Sequence, residues 1–83
     1  MAETKLIAEF FDQNWKKVEV LITDKAILWE KNKIDFKEVI DLEIVRHAQK
    51  DCIRIRREKD YYFSFGDRQK QVFRFIAFNI KSD

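Results

Sequence analysis

Asp67-Arg-Gln-Lys-Gln-Val-Phe-Arg-Phe-Ile-Ala-Phe-Asn-Ile-Lys81 is the one long stretch whose apolar residues recur at helical spacing. Val72, Phe73, Ile76, Ala77 and Ile80 fall at i, i+1, i+4, i+5 and i+8 and make a single stripe. Asp67 follows Gly66, and a carboxylate there suits an N-cap, because it accepts from the free N–H groups of the first turn. The chain before it reads as short strands. The predicted fold is therefore mainly β: a bent antiparallel sheet or partial barrel of about seven strands, closed by one C-terminal helix.

Working outward from the helix, Tyr61, Phe63 and Phe65 share one strand face, with Tyr62 and Ser64 opposite. Glu58-Lys59-Asp60 is a charged hairpin turn. The segment before it sends Ile53 and Ile55 inward and Arg54 and Arg56 outward. Between residues 40 and 47, Ile40, Leu42 and Ile44 alternate with Asp41, Glu43 and Val45, which predicts another strand. Residues 34–36 form a very short strand and 37–39 a brief turn. Residues 26–31 return from a turn at Thr23-Asp24-Lys25, where Asp24 is expected to bond its own downstream backbone. Val18, Val20 and Ile22 line one face of the strand before that turn, and residues 5–11 open the sheet. The connections are too short for parallel crossovers, so neighbours must run antiparallel.

At 83 residues the chain is one domain, read over its whole length, 1–83. Eight Phe, two Trp and two Tyr supply the large buried area that so small a core needs. Cys52 is the only cysteine, which excludes an intramolecular disulfide and a cysteine-ligated zinc site and favours a reducing, cytoplasmic setting. No apolar run approaches the roughly 18–20 residues that span a bilayer. Residues 1–11 carry Glu3 and Glu9 and lack a signal-peptide core. Residues 1–44 hold seven Lys against ten acids, whereas residues 45–83 hold ten Lys and Arg against five, so the two halves differ in sign.

Val20-Leu-Ile-Thr-Asp-Lys-Ala-Ile-Leu-Trp29, followed by Ile34-Asp-Phe-Lys-Glu-Val-Ile-Asp-Leu-Glu-Ile44, resembles pleckstrin-homology-like (PH-like) domains, most of all their GRAM and prokaryotic branches. The later Ile53-x-Ile55, Tyr61-x-Phe63-x-Phe65 and the terminal helix keep the same order, so the resemblance covers roughly residues 5–80. Its motifs are hydrophobic spacing plus one Thr-Asp-Lys turn. Within that group, Ile7-Ala-Glu-Phe10 and Trp15-Lys-Lys-Val-Glu-Val-Leu-Ile-Thr-Asp-Lys-Ala26 are similar to the N-terminal part of archaeal taxis proteins of the CheF type. That similarity implies a cytoplasmic adaptor between response-regulator signalling and the motor, of which this chain would be a fragment. It implies no catalytic residue, and the sequence itself offers no metal set or cofactor loop. Phosphoinositide-binding relatives carry spaced cations around the first hairpin. Here Asp12-Gln-Asn-Trp-Lys-Lys17 has a carboxylate and only two adjacent lysines.

Two surfaces are candidates for binding. Arg46, Arg54 and Arg56 lie in a basic run, and guanidinium forks grip phosphates and carboxylates in pairs. The bland reading is a solvated strand face neutralised by Asp51, Glu58 and Asp60. Phe75 and Phe78, three apart on a flank of the helix, suit a partner's groove or a homodimer through the helix, unless they cap the rim of the sheet. His47 and Cys52 form a conceivable nucleophile pair, but nothing orients them, and packing roles fit better. Asp41 and Glu43 read as a hydrated face rather than half of an acid dyad. Nucleic acid is disfavoured, because Tyr61, Phe63 and Phe65 are needed in the core and net charge is only +2. The expected function is a non-catalytic, protein-binding adaptor module, with peripheral binding of anionic lipid as the alternative.

Overall fold

The computed structural model describes residues 3–81 and orders the chain as seven strands followed by one helix. The strands are β1 (Thr4–Asp12), β2 (Asn14–Ile22), β3 (Ala26–Trp29), β4 (Asn32–Asp35), β5 (Asp41–His47), β6 (Lys50–Arg56) and β7 (Asp60–Ser64), and the helix α1 is Gln69–Lys81. All pair antiparallel in a single open sheet of order β4-β3-β2-β1-β7-β6-β5. Consecutive strands pair as hairpins except β4 and β5, which form the two edges of the sheet. The one non-local join is β1 to β7, at Glu9 opposite Ser64 and Phe10 opposite Phe63.

The alternation in the sequence decides which face is dry. Val18, Val20 and Ile22 of β2 are buried, as are Ile53 and Ile55 of β6 and Tyr61, Phe63 and Phe65 in and just after β7. Phe63 stands at the centre, with its ring centroid 4.8 Å from Trp29 and 5.0 Å from Phe10. The helix covers this face as the apolar stripe predicts. Its centre, however, is Val72 and Ile76, both buried, while Phe73 and Ile80 pack against the core from a half-buried flank.

Turn chemistry differs from the expectation at three places. Asp67 does not cap the helix. It lies inside a 3-10 turn, Gly66–Arg68, and Gln69 reaches back instead, its Oε1 accepting from the Phe65 N–H at 2.6 Å. Gly66 enters that turn at φ +60, a conformation glycine adopts without strain. In the Thr23-Asp24-Lys25 turn it is the Thr23 hydroxyl, not Asp24, that accepts from the backbone, at Lys25 N (3.1 Å) and Ala26 N (3.0 Å). Phe36, expected at the end of a strand, begins a second 3-10 turn, Phe36–Glu38, and is buried.

The sheet curls until β4 lies near the β6–β7 hairpin. Arg57 bridges the gap, Nη1 donating to the Lys33 carbonyl at 3.0 Å and lying 3.4 Å from Glu38 Oε1. No described helix is long and apolar enough to cross a membrane.

Candidate functional site

β5 and β6 carry the arginines of the basic run, and the ladder between them fixes each partner. Arg54 stands opposite Glu43, and Arg56 opposite Asp41. Arg54 Nη2 meets Asp41 Oδ2 and Glu43 Oε1, each at 2.7 Å, and its side chain is only 19% exposed. Arg56 Nε meets Asp60 Oδ1 at 2.8 Å. That hydrogen bond holds the Asp60 carboxyl below its ordinary range and the Arg56 guanidinium above its own. Arg46 Nη1 meets Asp51 Oδ1 at 3.0 Å, and its Nη2 donates to the Gln49 carbonyl. Arg54 and Arg56 share a face, as the spacing predicts. Arg46 stands opposite Asp51 on the other face, because the side-chain period of two separates it from Glu43. The fold therefore does not gather the three. A phosphate approaching any of them competes with a carboxylate already in place.

Asp41 and Glu43 are the acids held by Arg54. Cys52 is fully buried, and burial pushes its thiol up, away from the thiolate a nucleophile needs. The His47 ring lies flat on Tyr62, with centroids 3.8 Å apart, and Phe11 meets it edge-on at 4.7 Å. Trp15 packs on Phe11 and donates its indole N–H to the Ala48 carbonyl at 3.1 Å. This aromatic cluster ties the β1–β2 hairpin to the β5–β6 turn.

Phe75 and Phe78 differ in burial. Phe75 is half-buried against the core and lines a shallow cleft with Leu6 and Ile22. Phe78 is 70% exposed and lies two residues, about 200° of helix, from the buried Ile76. It points away from the sheet. At i and i+3 the two adjoin on one flank of the helix, Phe75 half-buried and Phe78 exposed.

The opposite flank of the helix holds a groove that the sequence reading missed. Ile40, Leu42, Phe73, Ala77 and Ile80 line an apolar cleft of about 270 Å³ between α1 and the start of β5. Ile40 is 73% exposed, and Ile44, two residues beyond Leu42, is 41% exposed. The alternation sets both on one face with Leu42. Only Leu42 packs against the core, because β5 is the last strand of the sheet and the core ends beside it. β5 pairs only with β6, and no backbone bond joins the other side of residues 41–47 to the rest of the described chain. Compared with known proteins, the chain matches no family model and no curated relative.

Proposed function

We propose that the protein is a non-catalytic interaction module of the PH-like kind, a cytoplasmic adaptor that engages a protein partner by adding a strand to β5. One observation carries this reading. A seven-residue edge strand stands open beside an apolar groove, with Ile40 and Ile44 exposed along it. Unpaired backbone groups recognise any extended chain, and flanking apolar side chains select which one. On the resemblance to archaeal taxis proteins, the module serves response-regulator signalling.

Peripheral lipid binding is the weaker reading, because Arg46, Arg54 and Arg56 each already face a carboxylate. Sedimentation with phosphatidylserine vesicles at low salt separates the two, and the adaptor reading expects the protein to stay in the supernatant. The positive test is a displayed library of random peptides screened on dilute immobilised protein. The wild type is expected to enrich extended peptides with alternating apolar residues, and Ile44→Lys to lose them. If the wild type enriches nothing above background, the reading fails.

A further inference from the structure

We propose that the strand received by β5 is β5 of a second copy of this chain, an inference that rests on the interaction-module reading and names its partner. The pattern along the strand is self-complementary. Antiparallel pairing centred on Ile44 sets the whole of Asp41–His47 against itself. Asp41 then lies opposite His47 of the second copy, Leu42 opposite Arg46, Glu43 opposite Val45, and Ile44 opposite Ile44. No like charges meet, and the exposed Ile44 side chains cover each other at the two-fold axis. Centring the pair on Glu43 shortens the ladder and sets two carboxylates together. Centring it on Val45 shortens it equally and sets Ile44 against Arg46. Full overlap and charge pattern thus select one register.

The rest of the sheet supports the choice of edge. β4, the other terminal strand, has four residues, bears the Lys33–Asp35 pair and is occupied by Arg57 at the Lys33 carbonyl. These are devices that stop strands from pairing between molecules. β5 has Arg46 and the two acids, but both acids are held by Arg54 toward β6. At about 3.4 Å per residue the open edge runs roughly 24 Å.

The test is sedimentation velocity of the whole chain across a hundred-fold range of concentration, with substitutions at the two-fold axis. The wild type is expected to move from monomer to dimer. Ile44→Lys and Ile44→Glu, each alone, place like charges opposite each other and should weaken association at least about tenfold. Mixed in equal amounts they should recover it, because lysine then faces glutamate only in the heterodimer. Ile7→Lys, at an isoleucine 66% exposed on β1, should leave association unchanged. A dimer that survives both Ile44 changes, or a mixture that fails to recover, overturns the β5 register. A wild type that stays monomeric throughout overturns the homotypic inference. The wider adaptor reading falls only if the displayed-peptide screen also comes back empty.

Discussion

β4 and β5 end the same sheet and treat their outer backbone in opposite ways. β4 is four residues long, and Arg57 reaches across the curl to take up its Lys33 carbonyl. β5 is seven residues long, has no backbone partner on its outer side among the described residues, and carries exposed isoleucine at 40 and 44 on or beside it. An edge is costly to leave open, because any extended chain can pair with it. One edge is closed by an arginine clasp and the other is bare, so the proposed docking surface lies at the second. The difference also separates two arginines by what they hold. Arg57 guards β4, while Arg54 steadies β5 from within the sheet by holding Asp41 and Glu43.

The largest expected effect tests whether both edges hang on one core. Phe63→Ala removes a fully buried ring in contact with Phe10 and Trp29, and should cost about 3–5 kcal/mol in urea unfolding. A loss under about 1 kcal/mol would mean that the two halves of the sheet are held separately.

Breaking the clasp comes next. Arg57→Ala should cost about 1 kcal/mol, since the side chain is partly exposed and its bonds compete with water. It should also add a second mode of association through β4. Unchanged sedimentation after this change would count against the guarding role.

Acid should weaken the same corner. The hydrogen bond from Arg57, joined by one from Tyr61, draws the Glu58 carboxyl from its ordinary 4.5 down to about 2. A carboxyl depressed in the folded state stabilises fully above its unfolded value and loses that contribution as pH falls through the folded one. Stability tied to Glu58 should therefore be intact above pH 4.5 and drain away toward pH 2. Glu58→Gln should flatten that part of the acid-unfolding curve, and a profile identical to the wild type would remove Glu58 from the clasp.

The smallest effect lies at the turn that ends the open strand. Ala48 and Gln49 both hold positive φ, 47° and 70°, between His47 and Lys50. L-residues resist that region, so Ala48→Gly should stabilise by roughly 0.5 kcal/mol after the entropy of the unfolded chain is counted. A lower melting temperature would show that the added unfolded-chain entropy of glycine outweighs the relief of strain.

How much of this was legible follows from how far each signal reaches along the chain. Val18, Val20 and Ile22, like Tyr61, Phe63 and Phe65, declare a dry face by alternation alone, and the structure buries all six. The terminal helix is equally plain from its stripe. Its centre was less so, because Phe73, Phe75, Ile76 and Ile80 together cover a broad arc, and only packing against the sheet selects Ile76. Asp67 looked like a cap because it is the nearest carboxylate to the first turn. An intervening 3-10 turn moved the helix start and gave the contact to Gln69. Ile40, Leu42 and Ile44 share one face by alternation, but alternation does not tell which of them the core reaches. Whether a strand is central or terminal depends on which distant strand lies beside it, here on the β1–β7 pairing, and nothing local encodes that. The same holds for Arg54, whose two carboxylates come from the neighbouring strand.

The open edge is tested most directly by residue-resolved amide exchange at low and at high protein concentration. The outward amides of residues 41–47 should exchange freely when the protein is dilute and become protected when it is concentrated, while residues 32–35 stay the same. Protection of residues 41–47 that is already complete in dilute solution, or that grows at β4 instead, would contradict it.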